Sequence, residues 1–96
     1  MSKFICTIDF LAKDGQVKNL IAEMLRQKNQ TIKEEGCLDY QIFKHTKDAN
    51  KIFVIETYKS EIEFQKHFET EHVKAFFKES APIFVANASH ETYNVV

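Results

Sequence analysis

Apolar residues follow two rhythms along this chain. From Lys3 to Leu11, KFICTIDFL is dense in β-branched and aromatic residues, the composition of a strand. The spacing then lengthens. Val17, Leu20, Ile21, Met24 and Leu25 recur at i, i+3, i+4, i+7 and i+8, with Ile32 further on, which predicts an amphipathic helix of about five turns. Asp14 is placed to cap this helix with Gly15 just inside, and Gly36 to end it in the left-handed conformation.

The short rhythm returns at Cys37–His45, where alternation puts Leu38, Tyr40 and Ile42 on one face and Cys37, Gln41 and Phe43 on the other. A polar turn, TKDANK, leads into a third strand over Ile52–Lys59, so the two form a hairpin. Ser60 and Glu63 make an S-x-x-E capping box that starts a second helix running to about Glu69. Thr70 can cap a further short helix near His72, Pro82 breaks or restarts it, and His90–Val96 reads as a fourth strand.

The order β-α-β-β-α-β predicts a single α+β domain over residues 1–96. It is the ferredoxin-like split βαβ arrangement, an antiparallel four-stranded sheet with its helices on one face. Such a sheet should alternate apolar with polar positions, yet the third strand is apolar on both faces: Phe53 and Ile55 on one, Ile52 and Val54 on the other. A second copy of the sheet is the simplest cover for the bare face, so a homodimer is expected. If Phe53 and Ile55 pack under the helices, Glu56 and Tyr58 point the other way, toward a partner or a cavity.

Composition narrows the function classes. Thirteen basic and fourteen acidic residues give a formal net charge of −1, without the basic footprint of nucleic-acid binding or of a polybasic membrane anchor. No apolar run is long enough to span a membrane, and the first residues read as a strand instead of a signal peptide, so a cytoplasmic protein is expected. Two cysteines, Cys6 and Cys37, are too few for a disulfide framework and read as buried reduced thiols. No phosphate loop, dinucleotide fingerprint or G-x-S-x-G occurs, so any chemistry proceeds without a nucleotide or flavin motif.

Three polar residues interrupt apolar surroundings. Glu56 shares a strand face with Ile52, Val54 and Tyr58, where a carboxylate must be hydrogen-bonded, ion-paired or protonated. His67 follows Phe64 at i+3 on the apolar face of its helix. His72 falls near a helix N-terminus, whose positive dipole end favours an uncharged ring that can accept a proton or polarise a carbonyl. Each is equally open to a packing role. The histidine spacing of five, without H-E-x-x-H, does not suggest a metal.

The ordered set Glu34 or Glu35, Gly36, Cys37, Tyr40, Glu56, Tyr58, His67 and His72, within Glu34–Phe76, resembles the signature half of the antibiotic biosynthesis monooxygenase (ABM) domain family. The resemblance implies a dimeric α/β barrel. It also implies a small, often aromatic or quinol-like substrate held between sheet and helices. Several family members oxygenate with neither metal nor flavin, others isomerise a small phosphorylated ketose, and relatives degrade haem. Tyr58 stands where many monooxygenase members have Trp, and ETYK is similar to the members acting on phosphorylated autoinducer-2.

The leading expectation is therefore a cofactor-independent monooxygenase. Its substrate would stack among Phe43, Tyr40 and Tyr58, near Glu56, with His72 or His67 as base. The alternatives are an isomerase or lyase of a phosphorylated ketone, with Lys59 on the phosphate, and a non-catalytic binding dimer.

Overall fold

The computed structural model describes residues 2–96. Strand β1 (Phe4–Ala12) leads to helix α1 (Val17–Thr31), then to the hairpin β2 (Cys37–Lys44) and β3 (Lys51–Tyr58). Helices α2 (Glu61–Phe68) and α3 (Glu71–Ala75) follow, then a π-helical turn (Phe76–Ser80), helix α4 (Ala81–Phe84) and strand β4 (Val85–Asn94). The sheet has the order β2-β3-β1-β4 and every pairing is antiparallel. This is the ferredoxin-like architecture.

Strand β4 begins at Val85, not His90. Its first half, VANAS, lacks the β-branched density of a strand and is held by pairing with β1 instead, where Ala88 sits opposite Phe10 and His90 opposite Ile8.

Facing in β3 is the reverse of the conditional expectation. Ile52, Val54, Glu56 and Tyr58 are the buried residues beneath the helices, whereas Phe53 and Ile55 are half-buried on the opposite face. With both faces apolar, alternation alone cannot orient the strand. Its neighbours decide: Phe10, Ile8, Cys6 and Phe4 of β1 pair with Ile52, Val54, Glu56 and Tyr58 in turn, and Phe10 and Phe4 are core residues.

Helix α1 also rotates away from the simple stripe. Leu20 and Met24 are buried, joined by the polar Glu23, Gln27 and Thr31, while Leu25 and Ile32 are exposed. Gln16 caps it without a side-chain bond, and the side chain of Asp14 accepts instead from Asn50 Nδ2. Gly15 carries the positive φ of 78°, in the turn before the helix. Gly36 does not adopt that conformation. A Cβ there would overlap the side chain of Glu63, so glycine is needed for close approach. In β2, a bulge between Cys37 and Asp39 leaves Leu38 exposed and turns Cys37 toward the core.

The core forms two clusters. The larger contains Phe10, Leu20, Met24, Tyr40, Ile52, Val54 and Phe76. The smaller contains Phe4, Cys6, Tyr58 and Phe64. Ile8 and Cys37 touch both, and the candidate site lies between them.

Candidate functional site

A cavity of about 270 Å³ opens between sheet and helices. Phe10, Met24, Tyr40 and Phe76 from the larger cluster line one side, Cys6 and Phe64 from the smaller line the other, and Ile8 bridges them. Phe68 and Phe77 form a rim that is partly exposed, with ring centroids 6.2 Å apart. Ala88, Ser89 and His90 of β4 also line it and are exposed, so the cavity opens along that edge of the sheet. Its polar wall is made of Glu56, His67 and Gln27.

Local structure explains how these groups meet. The Ser60 side chain accepts from the Glu63 N–H, starting α2 as the capping box predicts. That register turns His67 inward, with Phe64 one turn earlier. Thr70 does not cap α3 with its side chain. Its hydroxyl turns back and donates to the His67 carbonyl at 2.7 Å, tying down the end of α2.

A continuous polar chain then runs through the site. Tyr58 Oη donates to Glu56 Oε1 at 2.5 Å. Glu56 Oε1 lies 3.4 Å from His67 Nε2, and His67 Nδ1 lies 3.1 Å from both carboxylate oxygens of Glu34. Glu34 Oε2 is 2.8 Å from His72 Nε2, and His72 Nδ1 is 2.8 Å from Gln27 Oε1. The Gln27 amide nitrogen donates to Glu23 Oε2 and to the His72 carbonyl. Those two acceptors fix the amide so that its oxygen faces the His72 ring.

Burial sets the electrostatics. Glu56 is 3% exposed, and its carboxyl is pushed up to about 7 by that burial, opposed by the Tyr58 hydrogen bond and aided by the charge of Glu34. Burial also holds His67 below the usual imidazole value, although the Glu34 carboxylate pulls it the other way. Tyr40 and Tyr58 are both raised by burial and so remain protonated donors. The thiols of Cys6 and Cys37 are pushed up to about 12 and about 11, again chiefly by burial. Neither is an activated nucleophile.

Of the residues singled out from sequence, His67, Glu56 and Tyr40 line the cavity. Tyr58 is fully buried and holds Glu56 from behind. His72 lies behind His67 and Glu34, one step from the cavity wall. Phe43 and Lys59 are elsewhere. Phe43 packs against Phe53 on the opposite face of the sheet, with ring centroids 6.2 Å apart, because strand alternation sends it away from Tyr40 and Ile42. Lys59, just past the end of β3, reaches Glu35 at 3.9 Å on the surface.

Sequence reasoning passed over Gln27, Glu23 and the choice of Glu34 over Glu35. Glu23, Gln27 and Thr31 recur at i, i+4 and i+8 beside the apolar stripe, a legible signal of a polar seam on the buried face of a helix. Glu34 and Glu35 are indistinguishable by pattern, and only packing separates them: Glu34 turns inward to both histidines, whereas the Glu35 side chain is 94% exposed.

Glu34, His67 and His72 present donor atoms within 4.8 Å of one another, ligand types that a divalent cation takes. Counting histidines alone misses this third donor. The same atoms also lie within hydrogen-bonding distance of one another or of Gln27 in the chain described above.

The fold recurs in solved structures. A protein from Shewanella oneidensis superposes with a TM-score of 0.94 at 23% identity, over 98% of this chain and 91% of that one. A Pseudomonas aeruginosa protein gives 0.92 at 19%, over 100% and 96%. A protein described as an antibiotic biosynthesis monooxygenase gives 0.86 at 17%, over 97% and 98%. Similarity at these identities speaks for the fold alone. No protein of curated function matches the sequence. The family model of the antibiotic biosynthesis monooxygenases, by contrast, matches residues 4–79, spanning β1 through the π-helical turn and every member of the polar chain. The chain belongs to the antibiotic biosynthesis monooxygenase family.

Proposed function

We propose that this protein is a cofactor-independent monooxygenase that oxidises a small phenol or hydroquinone with dioxygen. The observation that carries the reading is the buried pair Glu56 and His67, set side by side in the wall of a largely apolar cavity. Its volume of about 270 Å³ suits one or two fused rings, since roughly 150 Å³ holds a benzene. The substrate ring lies among Tyr40, Phe64, Phe68 and Phe76, with its hydroxyl toward Glu56.

The Glu56–His67 pair takes the phenolic proton. The substrate anion gives one electron to dioxygen, and the resulting radicals combine to form a carbon–oxygen bond. The peroxide anion is protonated and its O–O bond breaks as the ring carbon loses its hydrogen. One oxygen stays as a quinone carbonyl. The other leaves as water with the two hydrogens the substrate gave up. Apolar walls exclude bulk water from the anion while it waits for oxygen. Tyr58 positions Glu56, and His72 stands behind Glu34.

The same reading pairs two copies through their bare sheet faces, where Phe43, Phe53 and Ile55 are incompletely buried. The phosphorylated-ketone alternative needs a cation for its phosphate, and Lys59 lies away from the cavity, paired with Glu35. The geometry therefore favours the phenol reading.

The test is oxygen uptake by metal-stripped protein with a panel of hydroquinones. Uptake is expected in the presence of chelator, and to fall ~100-fold or more in Glu56→Gln and in His67→Asn. Activity that disappears on chelation, or that survives both substitutions, would overturn the mechanism.

A further inference from the structure

We propose that Glu34 and His72 form the solvent side of a proton relay whose cavity side is Glu56 and His67; this rests on the acid–base reading above. Among the described residues, the His67 ring alone lies between two carboxylates. Nε2 faces Glu56 at 3.4 Å, and Nδ1 faces both oxygens of Glu34 at 3.1 Å. Glu56 is sealed inside, at 4% side-chain exposure, whereas the Glu34 side chain is 21% exposed and lines a surface groove with Glu35, Glu63 and Lys66.

A proton therefore has a route out of the cavity once the 3.4 Å contact between Glu56 and His67 tightens into a hydrogen bond, the outer links being hydrogen-bonded already. Glu56 passes its proton to Nε2 of His67 while Nδ1–H passes its own to Glu34. Protonated Glu56, neutral His67 and anionic Glu34 become anionic Glu56, neutral His67 of the opposite tautomer and protonated Glu34. Charge and protons balance, and the ring never carries a net charge in its buried site, where burial disfavours it. His72 Nε2, 2.8 Å from Glu34 Oε2, shares the proton at the outer end. Gln27 holds that ring by its Nδ1, with its own amide anchored by Glu23, which Arg26 grips with two nitrogens.

The relay answers a chemical need of the proposed reaction. A proton left on Glu56 beside a fresh substrate anion recombines with it, and that return competes with the arrival of dioxygen. Moving the proton to Glu34 separates the two. When the peroxide anion forms, the relay runs backward, supplies the proton and resets the His67 tautomer, so one turnover leaves it unchanged. The groups facing the chain are few: Tyr58 on β3, Cys6 and Tyr40 opposite Glu56 on the neighbouring strands, and Cys37 near the end of β2. Glu34 is thus a positioning and proton-transfer residue, without contact to substrate.

Two measurements test this in metal-stripped, full-length protein. Nitrogen-15 histidine spectra, recorded without ligand, are expected to show His67 protonated on Nδ1 and to switch to Nε2 in Glu34→Gln. A wild-type ring protonated on Nε2 overturns the relay. With 4-nitrophenol as probe and hydroquinone as substrate, Glu34→Gln should still bind the nitrophenol, with less of it as phenolate, and oxygen uptake should fall ~100-fold. Glu34→Ala should regain uptake as acetate is added, because a small carboxylate can refill the vacant position. A merely structural role predicts no acetate rescue, and that result also overturns the relay. Wild-type protein that binds nitrophenol without forming phenolate sinks the acid–base reading itself. Phenolate formation and uptake unchanged in Glu34→Gln sink only the relay.

Discussion

Both carboxylate oxygens of Glu34 lie 3.1 Å from Nδ1 of His67, although the two residues are 33 positions apart, one in the loop after α1 and the other on α2. This contact closes the loop over the helix and makes one network of residues from three separate stretches of chain. Its burial leaves marks on stability as well as on chemistry.

The first mark is in the pH dependence. Glu56 is raised from 4.5 to about 7 in the folded protein, so the folded state keeps a proton that the unfolded chain loses. The stability from that proton is present below pH 4.5 and is lost as pH rises to about 7. His67 is lowered from 6.5, so its effect has the opposite sign: stability present above pH 6.5 is lost on acidification. Between the two usual values the slopes oppose each other, so the wild-type pH dependence should be shallower than that of either single variant. Glu56→Gln should unmask the His67 slope, with stability rising with pH by up to about 1.4 kcal/mol per unit. His67→Asn should unmask the opposite slope. Urea denaturation across pH 4.5 to 8 checks this, and parallel curves for all three proteins would refute it.

Thr31 offers a gain in stability. Its hydroxyl is buried and has no hydrogen-bond partner among the described residues, and an unpaired buried hydroxyl costs about 1–3 kcal/mol. Thr31→Val removes the hydroxyl at nearly constant volume. Stability should rise by about 1 kcal/mol, or roughly 4–8 °C in Tm for a chain of this size. Calorimetry showing an unchanged or lower Tm would mean the hydroxyl is satisfied in solution.

Gly36 should tolerate no side chain. A methyl group there would run into the Cβ and Cγ of Glu63 at the start of α2, and these atoms cannot swing aside as a flexible tip could. Gly36→Ala is expected to lose about 1–3 kcal/mol, the usual cost of overpacking. A denaturation midpoint equal to wild type would show that the α2 N-terminus shifts freely.

The bare sheet face makes its own prediction. Phe53 and Phe43 contact each other at 6.2 Å on that face, away from the cavity. A charge at this position, Phe53→Glu, should convert a dimer into a monomer in sedimentation experiments while leaving the fold, and Cys6 shielded from alkylation, intact. Wild-type protein sedimenting as a monomer at micromolar concentration would remove the proposed pairing.

By itself the sequence determined the element order, the antiparallel sheet and the capping box at Ser60, because these depend on short-range periodicity and local hydrogen bonds. It also marked Glu56 and His67 as polar residues in apolar company. Only the tertiary structure decided which face of β3 lies under the helices, since Phe53 and Ile55 are as apolar as Ile52 and Val54 and the choice rests on what β1 and α1 bring against them. Packing likewise chose Glu34 over Glu35, removed Phe43 and Lys59 from the cavity and brought Gln27 to His72. The physical reason is one of range: periodicity reports how a side chain lies relative to its own backbone, while a site of this kind is made of contacts between elements, which local pattern does not encode.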